Sequence, residues 1–153
     1  MHKAVLTFAT ALLFGLAPLT TAAQNARDGR VMWSAFQCAT FAEMSGSNQE
    51  QDRLFGIGMK TGRRFVEALQ NNQISPEAMR SEVPIGVTML LAGPSVDFII
   101  GRIFENATRD AFDSIVKQKN GVLMPVDDWV QDQEVRKLIA QRKYLQGNCG
   151  LIQ

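Results

Sequence analysis

The sequence predicts an all-α fold, a compact bundle of about five helices with one disulfide. Three observations lead to it. Apolar residues recur at spacings of three and four through most of the chain, and no apolar/polar alternation persists beyond a few residues. Capping and breaking residues divide that pattern into segments of helical length. The two cysteines, Cys38 and Cys149, lie near opposite ends.

The first 23 residues read as a secretory signal peptide. His2-Lys3 is the basic start, Ala4 to Leu16 carries no charge, Pro18 breaks the run, and Thr20-Thr21-Ala22-Ala23 supplies small side chains at the cut. The apolar run is shorter than the roughly 20 residues a membrane-spanning helix needs. Cleavage after Ala23, with Ala22 as the competing site, leaves a single helical domain over 24–153, large enough for one hydrophobic core. The expected location is the periplasm or the outside of the cell, with no stable membrane insertion after cleavage.

The first helix of that domain is expected from Gly29 to Met44, with Asp28 as N-cap and Gly46 as stop. Val31, Ala35, Cys38, Ala39 and Ala42 form one stripe, and Trp33, Phe36, Phe41 and Met44 fill much of the remaining surface. A helix apolar nearly all round is either central or carries a second face for a partner. The second helix, about Gln49 to Asn71, begins at a capping-box pattern, Asn48 with Gln51. Leu54, Ile57, Gly58, Thr61, Phe65, Ala68 and Leu69 share its inner side. Glycine within a helix costs about 1 kcal/mol against alanine. The pair Gly58 and Gly62 therefore predicts a neighbouring backbone packed very close.

Ser75-Pro76-Glu77 opens a short helix to about Glu82. Ile85 to Leu91, between Pro84 and Gly93-Pro94, reads as a buried helix of two turns, with a strand as the alternative. The longest helix runs from Pro94 or Ser95 to about Lys119 and ends at Asn120-Gly121. Its inner face holds Val96, Ile100, Ile103, Phe104, Ala107, Ala111 and Ile115. Arg102–Glu105, Glu105–Arg109 and Arg109–Asp113 have the spacing of a surface ion-pair ladder. A last helix, Trp129 to Leu145, is capped by Asp127 or Asp128, turns Val135, Leu138, Ile139 and Leu145 inward, and stops at Gly147.

Composition narrows the chemistry. The leader contains the only histidine, His2, so the remaining chain has no imidazole for a Ser-His-Asp or Cys-His mechanism or for metal ligation. It also removes Lys3, leaving 15 basic against 15 acidic residues. A neutral chain has no net field to draw it to nucleic acid. Outside the cytoplasm, a lone pair of cysteines reads as a disulfide, here Cys38–Cys149. No metal site and no cofactor are predicted.

Two acids are the weak catalytic candidates. Asp97 falls by angle on the apolar side of its helix, where it is either a buried functional acid or a first-turn acid stabilised by free N–H groups. Glu105 lies eight residues on, about 12 Å along the axis, too far for two-carboxylate glycoside hydrolysis by that pair. The binding candidates are Trp33, Phe36, Phe41 and Met44 as an anchor surface, and Arg102 and Arg109 as an anion clamp. The expectation is a noncatalytic exported protein that binds another macromolecule of the cell envelope, in the manner of an inhibitor, immunity protein or chaperone, with a protein as the partner. The alternative is a hydrolase or lyase of envelope polymer using Asp97 or Glu105 as general acid. A third option, a lipid or small-ligand carrier, needs an apolar cavity in the bundle.

Overall fold

The computed structural model describes residues 21–153. Most of the leader segment assigned to residues 1–23 lies outside the described residues. The described residues form an all-α fold with six helices and one small hairpin: α1 Thr21–Ser45, α2 Asn48–Gln70, α3 Pro76–Glu82, α4 Ile85–Thr88, α5 Val96–Val116, β1 Gln118–Lys119, β2 Val122–Leu123 and α6 Gln133–Gln146. Single 3₁₀ turns cover Val126–Asp128 and Cys149–Leu151.

α1 is the central helix, touching α2, α3, α5, α6 and the C-terminal tail. That position explains its near-uniform apolarity. Met32 and Phe36 from α1 meet Phe65 and Val66 from α2, and Ile100 and Ile103 from α5, in the main core. Phe36 also takes the edge of Phe104 at a centroid distance of 5.2 Å, a favourable T-shaped geometry. α1 starts earlier than its expected boundary at Gly29, because Ala23, Gln24, Ala26 and Arg27 are good helix formers. Asp28 is consequently no N-cap. It lies inside the helix, 5% exposed, and its two oxygens accept hydrogen bonds of 2.8 Å each from the Arg64 guanidinium of α2.

The turn after α1 replaces the expected capping box. Gly46 has a positive φ of 85°, Ser47 N–H donates to Ala42 O, and Gly46 N–H donates to Glu43 O. This is a Schellman ending. It runs directly into α2, with Ser47 at the N-cap position and no side-chain cap. Gly58 and Gly62 do mark close packing, but against side chains rather than backbone. A Cβ on Gly58 would lie within 3.0 Å of three Phe36 ring atoms, and one on Gly62 would lie 2.7 Å from Met32 Sδ.

Ser75 caps α3, accepting from Ala78 N–H at 3.2 Å. The segment expected as a buried two-turn helix keeps one turn, α4. There Val87 is buried, while Ile85 and Met89 stand in solvent. Ser95 caps α5 through Phe98 N–H. Of the expected ladder only Glu105–Arg109 forms, at 3.4 Å. Arg102 reaches back to the carbonyl of Ala92, and Asp113 pairs with Lys117 at 2.7 Å.

The chain departs most from expectation after α5. Asn120-Gly121 does not simply end a helix; it turns a two-stranded antiparallel hairpin, pairing Gln118 with Leu123 and Lys119 with Val122. Both turn residues have positive φ, 53° and 78°, the requirement of the tight turn that suits strand twist. Trp129 then lies before α6 rather than in it. Its indole N–H donates to Met124 O, and Lys117 Nζ sits 4.9 Å from the ring centroid. Asp132, not Asp127 or Asp128, caps α6 through Val135 N–H at 3.0 Å.

Cys38 and Cys149 are bonded, with Cα atoms 5.5 Å apart across a separation of 111 residues. The cystine packs with Ala39, Ala42 and Leu54. No helix among the described residues is long and apolar enough to cross a membrane.

Candidate functional site

α6 is rotated relative to its expected orientation. Val135, Leu138 and Leu145 were expected inward; they are 44%, 65% and 73% exposed. Ala140 is the buried residue of the helix, with Ile139 partly buried against Ile115 and Val116. The physical cause lies at both ends of the helix. Cys149 ties the end of the chain to the middle of α1. Tyr144 OH donates to Glu50 Oε2 of α2, and Arg136 Nε donates to Val130 O at 2.6 Å. These polar anchors hold the face with the small Ala140 inward, and three large apolar side chains are left on the opposite stripe with Arg142.

A polar lock holds the tail in this position. Arg53 Nη1 donates to Ile152 O at 2.7 Å and Nη2 donates to Cys149 O at 3.2 Å, while Nε and Nη2 also grip the Glu50 carboxylate at 2.9 and 2.8 Å. The Arg53 hydrogen bonds, with that of Tyr144, bring the Glu50 carboxyl from 4.5 down to about 2. Burial, then the Glu50 carboxylate, pushes the Tyr144 hydroxyl above its ordinary value. Spacing shows only the Glu50–Arg53 pair, three apart on one helix; the partners 94 to 99 residues away leave no local trace.

Beside the exposed stripe, the hairpin and α6 enclose a cleft of about 560 Å³. Its rim carries Lys119, Arg142 and Lys143, its floor includes Met124, Val130 and Ile139, and no aspartate or glutamate lines it. None of those three cations pairs with a carboxylate among the described residues.

The candidates from the sequence lie elsewhere. Asp97 is not on a buried face. Its side chain is 66% exposed and accepts a hydrogen bond from Arg63 Nε at 3.1 Å. Glu105 is exposed beside Arg109, and both line an open groove of about 420 Å³ with Glu43 and Met44. Arg102, held by Ala92 O, does not line that groove and so forms no clamp with Arg109. Of the proposed anchors, Phe36 is fully buried, and Trp33, Phe41 and Met44 are half-buried. Trp33 lies over Gly86, where a Cβ would fall 2.6 Å from its ring. Phe41 and Met44 pack at the junction of α1, α5 and α6. Sequence reasoning missed the α6 stripe because it assigned those residues to the core. Compared with protein-family models, with curated proteins and with solved structures, the chain matches none.

Proposed function

We propose that this chain is an exported, noncatalytic helical protein that acts in the periplasm or outside the cell by binding a protein partner, and that the outward face of α6 is its docking surface. The observation that carries the reading is the stripe Val135, Leu138 and Leu145, exposed on one helix at spacings of three and seven. Large apolar side chains held outward on a stapled helix are a binding surface without a large ordering cost. Arg142 within the stripe and Glu134, one turn before Leu138 at its edge, put one charge of each sign beside it, so an apolar partner groove with a mixed polar rim has the complementary shape. Export is supported by the leader pattern and by the cystine. The described core side chains begin at Ala26, beyond the expected cut.

The test is capture from an envelope fraction with the mature, oxidised protein and two variants. Leu138→Asp is expected to abolish a partner that wild type and Trp33→Ala both retain, because Leu138 is exposed on the α6 stripe and Trp33 is half-buried against Gly86. Unchanged capture by a folded Leu138→Asp protein overturns the surface assignment. Mass spectrometry showing an intact leader on native material overturns export.

The hydrolase reading draws on one observation, that Glu43 and Glu105 line the same groove. Loss of polymer cleavage in Glu105→Gln would favour it; no cleavage by the wild type ends it.

A further inference from the structure

We propose that the cleft between the β1–β2 hairpin and α6 binds a small anionic amphiphile, a phosphate or carboxylate group attached to an apolar chain. The inference rests on its own observations: the cleft lies on the hairpin side of α6 and shares only Arg142 with the partner surface above, so the single Lys119→Gln variant tests it apart from that surface.

Charge provides the first argument. Lys119 comes from the hairpin tip, and Arg142 and Lys143 come from the last turns of α6, so cations from two elements converge on one opening. Basic residues in the last turn of a helix are ordinarily explained by the helix dipole. That explanation covers Arg142 and Lys143 but not Lys119, which belongs to no helix, nor the lack of any carboxylate around the rim. Elsewhere among the described residues most basic side chains meet an acid, as Arg27, Arg30, Arg53, Arg63, Arg64, Arg80, Arg109 and Lys117 do, and the exceptions, Lys60, Arg102, Arg136 and Lys137, do not gather at one opening. Unpaired cations facing one another across a gap repel, and an anion between them removes the repulsion.

Shape and lining provide the second argument. The volume of about 560 Å³ falls within the range that accepts a small organic ligand. Met124, Val130 and Ile139 give the cleft an apolar floor, which a bare inorganic ion would leave unused. An anionic head at the rim with an apolar chain on the floor satisfies both parts. The hairpin that forms one wall is fixed to α5 by the Met124 N–H to Lys117 O bond and to Trp129 through Met124 O, so the site is preformed.

The experiment is titration calorimetry on the oxidised protein with four probes: dihexanoyl phosphatidic acid below its micelle concentration, octanoate, dihexanoyl phosphatidylcholine, and inorganic phosphate. At least one of the two anionic amphiphiles is expected to bind about tenfold or more tightly than both the choline lipid and inorganic phosphate. Which of the two binds identifies the head group as phosphate or carboxylate. Lys119→Gln/Arg142→Gln is expected to weaken that binding by about tenfold or more, as loss of charge-assisted hydrogen bonds requires. Should the double variant not fold, the single Lys119→Gln change at the hairpin gives the same reading. No binding of either anionic amphiphile at millimolar concentration, equal binding of the choline lipid or of inorganic phosphate, or affinity unaffected by the substitutions overturns the proposal.

Discussion

Two glycines of α2, two positions apart, provide a strict test of how α1 and α2 pack. Gly56 faces solvent, and a Cβ added there meets nothing within 4 Å. Gly58 faces α1, and a Cβ there would lie within 3.0 Å of Phe36 Cε1, Cδ1 and Cζ, well inside the ~3.5–4.0 Å of a normal carbon contact. Replacing a helix-interior glycine by alanine stabilises the helix by about 0.5–1 kcal/mol when nothing opposes it. Gly56→Ala should show that gain. At Gly58 the same gain is set against overpacking, which costs about 1–3 kcal/mol and occasionally more. The ring has little room to retreat, because Phe36 is fully buried and flanked by Phe104 at 5.2 Å and Phe55 at 6.1 Å. Because the gain is common to both positions, Gly58→Ala should lose up to about 2.5 kcal/mol net, and the two variants should differ by the overpacking cost, about 1–3 kcal/mol. Urea denaturation followed by far-UV circular dichroism measures this directly. With a slope of about 1–3 kcal/mol per molar, the Gly56→Ala midpoint should rise and stand about 1 M above that of Gly58→Ala. A Gly58→Ala protein as stable as Gly56→Ala would refute the placement of Phe36 against α2.

Reducing the Cys38–Cys149 bond should cost about 4–5 kcal/mol on the chain-entropy estimate, given its separation of 111 residues. Denaturation with and without reductant measures it, and a shift below about 1 kcal/mol would contradict that estimate. Glu50, lowered in the fold to about 2, contributes stability that is full above its unfolded value of 4.5 and is lost as pH falls from about 5 toward 2. With a third of its side chain in water, the discounted size is about 1–2 kcal/mol. Glu50→Gln should flatten that acid limb, and an unchanged pH profile of stability would contradict the lock. Arg64→Ala should cost about 2–4 kcal/mol by leaving the Asp28 carboxylate, 5% exposed, without its bidentate partner. Adding Asp28→Asn should recover part of that loss, and strict additivity of the two changes would argue against the pair.

Much of the fold is legible because it is local. Ser75 acts as the cap its place before Pro76 predicts, and Ser95, one of the two expected starts of the longest helix, caps it in the same way, each through a bond to the residue three positions on. The inner faces of α2 and α5 lie where their periodicity puts them, since a helix with one broad apolar arc has one favourable orientation. The hairpin at Asn120-Gly121 was within reach of the same reasoning. That dipeptide marks a tight turn as strongly as it marks a helix end, and the strands of two residues on either side are too short to show alternation. The candidate site was much less legible. Val135, Leu138 and Leu145 stand out as a stripe, but a stripe does not say whether it faces a core or a partner.

The amino-acid sequence by itself determined that the chain is helical, where most of its helices begin, and which two sulfurs are available to join, because these depend on neighbours within a turn or on composition alone. Only the tertiary structure decided that Asp28 is paired inside α1, that Asp97 is in solvent, and that α6 turns its leucines outward. Each of those outcomes depends on side chains tens of residues apart. The rotation of α6 rests on Tyr144 meeting Glu50, Arg53 holding the tail, and Cys149 meeting Cys38. Its apolar pattern is compatible with either orientation, and those long-range anchors select the one observed.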